Sequence, residues 1–255
     1  MLNGHQVTPL LECPWVTKDI IRPDWLHCAD LGVTPKFIGN VFLDAVASPH
    51  YFEGSTQKAR VKSLWRDIQK EYLEHNIEDR LSTLTLKKIR PDKKGPHLSG
   101  TAACIRALVP YTRKLAARMA SIVDSPVNRC IAQAALRLKL CYDGLSSTTA
   151  FNEQLMKDNG KQFLLQYGAL RKLVRQTSAK SKRYHIVPKF HLFLHLIEAE
   201  GNPALRWTYR DEAFGGTLAR MARRRAGKNT AQGMSTRVLN NFRIKEPLCR
   251  VTLKR

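Results

Sequence analysis

The sequence predicts a mainly helical protein with few strands, confined to its two ends. Through most of residues 35–200, apolar side chains recur at three- and four-residue intervals, which places them on one face of a helix. Proline and glycine punctuate these stretches at positions that suit helix starts and stops. With 255 residues, of which 43% are hydrophobic, the chain can bury the core of one large or two small domains.

The N-terminal segment combines weak strand character with a dense group of reactive side chains. Residues 7–13, interrupted by a proline, predict an edge strand. Two carboxylates, an imidazole and a thiol then fall within the seven positions from Asp24 to Asp30. Asp24 follows a proline and suits a helix start, and His27 lies three residues on, on the same helix face. The plainest interpretation is a capping aspartate with a half-buried histidine beside it.

The middle of the chain predicts a succession of helices joined by short connectors. Pro110 should bend or break the third predicted helix, and Asn159-Gly160 should interrupt the fifth. Residues 82–98 alternate weakly like a strand but are broken by prolines, which favours a basic loop. The predicted helices cover residues 35–47, 56–78, 99–121, 125–142, 148–176 and 188–201.

The charge is the strongest compositional signal. A formal net charge of +22 and a pI near 10.1 favour a polyanionic partner, of which nucleic acid is the obvious one. A ribosomal role or a membrane-surface role fits the charge equally well. No apolar run approaches the roughly 20 residues of a membrane span, and the N-terminus lacks the pattern of a signal peptide, so we expect no membrane partner.

Basic side chains concentrate in three segments, which we predict to contact phosphates. The alternative for each segment is a solvated loop or helix face. The predicted nucleic-acid-binding residues are Lys87, Lys88, Arg90, Lys93, Lys94, Arg171, Lys172, Arg175, Lys180, Lys182, Arg183, Arg220, Arg223, Arg224, Arg225 and Lys228.

A second reactive stretch lies near the C-terminus. In residues 202–216 an aromatic run ends in Asp211 and Glu212, ahead of a basic helix. Together with residues 22–33, this stretch resembles the later part of the catalytic domain of DDE/D transposases, such as those of CACTA-type elements. The matching residues are Asp24, His27, Gly32 and Val33, for an Asp-x-x-His arrangement leading into Gly-Val, and Glu212 for the last acid, with Asp211 as the second choice.

The resemblance implies a divided RNase H-like α/β core. It assigns residues 1–34 and 201–255 to parts of that core, and residues 35–200 to a large helical insertion that helps to hold DNA. Asp24 and Glu212 lie 188 positions apart, which leaves room for such an insertion. In the family, three acids hold two divalent metals for phosphodiester cleavage and transfer, which implies Mg²⁺ or Mn²⁺ at Asp24 and Glu212.

The chain departs from the family at its front. In the family, the first catalytic aspartate lies on the first strand and several strands separate it from the second acid, but only 23 residues precede Asp24 here. We therefore expect a C-terminal, truncated or domesticated part of a transposase, with weak metal binding and no efficient cleavage by this chain alone. A separate chain or a homo-oligomer would supply the missing part, and such a DNA-binding protein is expected in the nucleus.

His191 and His195 lie four residues apart, on one face of a predicted helix. This spacing suits a metal, but the acidic base of a zinc-protease motif is absent, so we favour packing or DNA contact and expect no zinc. The resemblance gives both histidines, with His27, a supporting role.

Two further function classes remain open from the sequence. One is a non-catalytic helical protein that binds nucleic acid, with the acids serving as helix caps. The other is a ribonucleoprotein component that binds RNA through basic and aromatic side chains, such as Trp207 and Tyr209. Metal-dependent cleavage would separate the enzyme from both.

Overall fold

A computed structural model describes residues 22–90, 95–145, 150–209, 215–217 and 219–220 of the chain. The prediction of a mainly helical protein is confirmed, with 70% helix and no strand in the described parts. The strands predicted near the two termini lie outside the described residues. No described helix has the length and apolar character that crossing a membrane requires.

The helices follow one another with short connections. A π-helical segment, Leu26–Val33, runs directly into α1, Thr34–Ala47. The others are α2 Gln57–Glu74, α3 Leu86–Ile89, α4 Ala102–Ala107, α5 Val109–Ile122, α6 Pro126–Gly144, α7 Glu153–Thr177, α8 Pro188–Glu198 and a 3₁₀ turn, Pro203–Arg206. The chain divides into two compact units, Met1–Arg206 and Trp207–Arg255, and the helices above belong to the first.

Local sequence signals explain most helix starts. Side-chain oxygens of Thr56, Ser125 and Asn152 accept hydrogen bonds from backbone N–H groups at the starts of α2, α6 and α7. A proline occupies one of the first two positions of α1, α5, α6 and α8. At α6 and α8, which follow extended residues, its missing N–H costs no hydrogen bond. These helices therefore begin within a few residues of their predicted starts.

Two local predictions need correction. Residues 86–89, within the stretch that alternates weakly like a strand, form the short helix α3 instead. The Thr85 side chain caps this helix by accepting a hydrogen bond from the N–H of Lys88. α1 begins at Thr34, one residue before its predicted start at Pro35, and continues directly from the π-helical segment. The predicted interruption near Asn159-Gly160 is wrong: α7 is continuous there, and Gly160 lets Ile197 of α8 pack closely against its backbone.

Aromatic rings form the centre of the first unit. Phe37 of α1 meets Phe163 of α7 edge-to-face with ring centroids 5.5 Å apart, and Phe163 meets Phe193 of α8 at 5.9 Å. Trp25 joins the set through Phe193 at 5.7 Å and Tyr142 at 5.3 Å. The core thus ties the residue after Asp24 to α1, α6, α7 and α8.

Gly39 allows α1 to approach the segment 95–98 without a gap. A Cβ added at this glycine would lie 2.5 Å from the His97 Cα, which is backbone and cannot swing aside. The contact is reinforced by a hydrogen bond of 2.8 Å from the Leu98 N–H to the Pro35 carbonyl. Gly39→Ala is expected to destabilise the fold by about 1–3 kcal/mol, because it forces these backbones apart.

Gly168 provides the matched control for this prediction, since a Cβ there would meet nothing within 4 Å. Gly168→Ala in α7 is expected to stabilise the fold by about 0.5–1 kcal/mol, through reduced backbone entropy of the unfolded chain. Urea denaturation of both variants measures the difference. Equal stability of the two variants would contradict the close packing at Gly39.

Candidate nucleic-acid interface

Four cationic side chains from three parts of the fold lie within electrostatic range of one exposed imidazole. Lys36 of α1, Arg171 and Arg175 of α7, and Lys182 of the following loop all act electrostatically on His185. We call these five residues the basic cluster. Burial first, and then these four cations, lower the pKa of His185. The imidazole therefore favours its neutral form, and the surface around it carries positive potential.

The cluster follows from the helix geometry. Arg171 and Arg175 are four residues apart near the C-terminal end of α7, so they share one face of the helix. Cations are also favoured at this end by the helix dipole. Lys36 lies in the first turn of α1, and the loop 178–187 carries Lys182 and His185.

Tyr184 holds that loop in place. Its side chain is fully buried, with its ring 5.6 Å from that of Tyr167 of α7. Its backbone N–H donates to Asn40 Oδ1 at 2.8 Å, and its hydroxyl donates to Asp44 Oδ2 at 2.7 Å, both in α1. Its φ of 50° lies in the left-handed region, a strained conformation that these contacts maintain. Tyr184 thereby fixes the positions of the basic residues on either side of it.

A buried ion pair supports the same loop. The Asp44 side chain is only 8% exposed and contacts the guanidinium of Arg183. Burial lowers the pKa of Arg183, but Asp44 and Tyr184 together more than offset this effect, so its pKa is raised and the guanidinium stays charged. Burial and the same carboxylate raise the pKa of Tyr184, so its hydroxyl stays protonated and can donate. The pair fastens the loop to α1.

The predicted phosphate contacts are distributed over several places. Arg171, Arg175 and Lys182 belong to the basic cluster, whereas Lys87 and Lys88 lie on α3 and Arg90 caps its end. Lys172, Lys180 and Arg183 also lie in the described α7 and loop, and Arg220 lies in the second unit. Lys93, Lys94, Arg223, Arg224, Arg225 and Lys228 lie outside the described residues.

Sequence reasoning missed two members of the cluster, Lys36 and His185. Lys36 is a single cation in an otherwise apolar helix start, and His185 stands just beyond the basic run that ends at Arg183. Only their position next to α7 makes them members of the interface. The closeness of His185 to a basic run was the one available signal.

Asp24 and His27 are in direct contact. Asp24 Oδ1 accepts the backbone N–H of His27 at 3.1 Å, and Oδ2 lies 2.8 Å from the imidazole Nδ1. Asp24 thus caps the helical turn, and its carboxylate is held against the His27 imidazole. Asp211 and Glu212 lie outside the described residues, so the predicted approach of Asp24 and Glu212 stays a prediction.

Asp30, which the sequence analysis did not single out as a site residue, is fully buried and anchored to α6. The Tyr142 hydroxyl donates to Asp30 Oδ1 at 2.5 Å and accepts from Thr34 Oγ1 at 2.8 Å. Tyr142→Phe should lower the free energy of unfolding by about 1–3 kcal/mol, because buried polar groups lose a partner. Urea denaturation tests this, and a variant as stable as the wild type would contradict it.

His191 and His195 lie exposed on α8, one turn apart. Their Nε2 atoms are 2.9 Å from each other, so one ring nitrogen donates to the other. The expectation that they bind no stoichiometric zinc stays a prediction, which metal analysis of protein purified without chelator would test.

One group of described side chains has the spacing of a metal site. Single ligand atoms of Glu71, Glu74 and His75 all lie within 4.8 Å of one another. However, the Lys114 ammonium lies 2.8 and 2.9 Å from the Glu71 oxygens and 2.9 Å from His75 Nε2. This ammonium already supplies the positive charge that the acids favour. The cluster borders a cavity of about 510 Å³ that also contains Tyr142.

Comparisons with protein-family models, with curated proteins and with solved structures return no match for this chain.

Proposed function

We propose that this chain is a helical nucleic-acid-binding protein that holds duplex DNA mainly through its phosphates. The observation that carries the proposal is the basic cluster, in which Lys36, Arg171, Arg175 and Lys182 all act electrostatically on the exposed His185. Phosphate contacts supply most of the sequence-independent affinity for DNA, and arginine and lysine provide them. The formal net charge of +22 adds long-range attraction to the same ligand.

The cations of the basic cluster suit the phosphates of a nucleic acid better than the carboxylates of an acidic protein surface. The cluster combines two arginines, which can bind phosphate oxygens in pairs, with lysines that act as point charges. The pinned loop and the end of α7 hold these groups on ordered backbone. Cations that are positioned in advance lose less conformational freedom when a strand binds.

The proposal includes an origin from a DDE/D transposase. The support is the match of Asp24, His27, Gly32, Val33 and Glu212 to the motifs of that family, and the helical character of the long segment between the two acids. In this proposal residues 1–34 and 201–255 belong to an RNase H-like core and the protein acts in the nucleus. A homo-oligomer or a second chain completes the core.

The origin predicts a weak divalent-metal site at Asp24 and Glu212. Mg²⁺ or Mn²⁺ would be held by carboxylate oxygens, and His27 is already placed to orient Asp24. Asp24→Ala or Glu212→Ala should abolish metal binding in calorimetric titration, and DNA affinity should stay equal or rise because a negative charge is lost. Unchanged metal binding in both variants would contradict the assignment.

A second candidate is RNA binding within a ribonucleoprotein. Trp207 and Tyr209 lie edge-to-face with ring centroids 5.4 Å apart and are partly exposed, and such rings can stack on unpaired bases. Binding of the full chain to labelled duplex DNA, with unlabelled duplex DNA or structured RNA as competitors, decides between the two. Stronger competition by RNA would favour the second candidate.

A further inference from the structure

A positively charged hollow of about 380 Å³ shares Lys182 with the basic cluster. Its described lining contains four cations, a hydroxyl and an apolar portion, and no acid. The lining residues are Arg90, Lys180, Ser181, Lys182, Arg183, Leu43 and Pro96. Two basic segments that are far apart in the sequence therefore meet on one concave surface.

The walls of the hollow are fixed by short contacts to the same helix. Asn40 of α1 donates to the Pro96 carbonyl at 3.4 Å and accepts the N–H of Tyr184 at 2.8 Å. Gly95, with a φ of 116°, allows the two walls to touch, since a Cβ there would lie 2.5 Å from the Lys182 carbonyl oxygen. The hollow is thus formed before any ligand arrives.

The charges of the hollow favour a compact anion with more than one negative charge. Arg183 is already paired with Asp44, whereas Arg90 and Lys180 are exposed at the surface. A phosphomonoester carries about −1.5 to −2 charges at pH 7 and three acceptor oxygens, so it matches several donors at once.

The donors around the hollow distinguish between two kinds of phosphate. A backbone phosphodiester has a single charge and only two free oxygens, because its other two oxygens are bonded to sugars, so it can satisfy fewer of the donors around the hollow. A terminal phosphate is attached on one side only. We propose that the hollow binds the terminal phosphate of a nucleic-acid strand, an inference that rests on the proposed binding of the same strand by the basic cluster.

The test compares short duplexes that differ only at their ends. Fluorescence anisotropy with the full chain would measure affinity for duplexes bearing a 5′-phosphate, a 3′-phosphate or hydroxyl ends. One phosphorylated form should bind about threefold to tenfold more tightly than the hydroxyl form, as expected for charge-assisted hydrogen bonds at a partly exposed site. The arm that shows the preference identifies the end of the strand.

Two double variants test whether the preference for a phosphorylated end comes from the residues of the hollow or from the overall charge of the chain. Arg90→Gln with Lys180→Gln should remove the preference for the phosphorylated end, whereas Lys62→Gln with Arg113→Gln, on exposed parts of α2 and α5, should retain it. Circular dichroism checks folding. If the first pair does not fold, the wild-type chain is tested instead with two competitors, a 5′-mononucleotide and the same nucleoside without phosphate. The terminal-phosphate site predicts that only the mononucleotide displaces the duplex.

The outcomes distinguish the two proposals. Equal affinity for all three duplexes, or a preference that survives loss of Arg90 and Lys180, overturns the terminal-phosphate site and leaves the proposed DNA binding intact. Absence of salt-dependent binding to every duplex overturns both.

Discussion

Neutralising three cations of the basic cluster is expected to lower the affinity for duplex DNA on the order of a hundredfold at low salt. The variant is Arg171→Gln, Arg175→Gln and Lys182→Gln, which takes charges from α7 and from the following loop. Each lost phosphate contact removes the release of about one counterion, so the loss should be similar for unrelated DNA sequences. Fluorescence anisotropy with two such sequences measures it.

The control removes the same number and type of charges elsewhere. Lys62, Arg66 and Arg113 are exposed on α2 and α5, and none of them lines the hollow or belongs to the basic cluster. Their replacement by Gln lowers the net charge equally but should reduce affinity much less. If both triple variants lose the same affinity, net charge alone explains binding and the basic cluster has no special role.

Replacing Tyr184 is expected to have the largest effect on stability. Tyr184→Ala removes a fully buried ring that packs on Tyr167 and a hydroxyl that donates to Asp44. Loss of a large aromatic side chain from a core costs about 3–5 kcal/mol of unfolding free energy. The loop also loses its anchor, so DNA affinity should fall under conditions where the variant is still folded. Urea denaturation and anisotropy measure the two effects.

Tyr184→Phe is the matched control, because it keeps the ring and removes only the hydroxyl. The buried Asp44 carboxylate then loses one donor but keeps Arg183, which should cost about 1–3 kcal/mol. DNA affinity should stay near that of the wild type. A Tyr184→Ala variant with wild-type stability would show that the loop is held by other contacts.

The sequence predicted those helices whose signals are local. Ser125-Pro126 combines a capping side chain with a proline at the first helical position, and α6 begins there. Asn159-Gly160 misled the prediction because both residues are stabilised by tertiary contacts. Asn159 accepts a hydrogen bond from Arg137 of α6, and Gly160 packs on Ile197. No local pattern contains this information.

The candidate interface was also only partly predictable, because its charge runs are local but their positions depend on packing. The basic segments 87–94 and 171–183 are visible as runs of charge, but their meeting around the hollow depends on Asn40 and Gly95. Lys36 and His185 stand outside both segments, and their membership follows only from how α1 packs near the loop. The partners of Asp30 were equally hidden, since Tyr142 lies 112 positions away.

Phosphate binding by the basic cluster and the hollow should make the DNA affinity of the chain fall steeply with salt. The basic cluster and the hollow together offer about four to six phosphate contacts, which predicts a slope of log affinity against log salt of about −4 to −5. The Arg171, Arg175 and Lys182 triple variant should flatten this slope by about 3. A wild-type slope near zero, or an unchanged slope in the triple variant, would contradict phosphate binding by this surface.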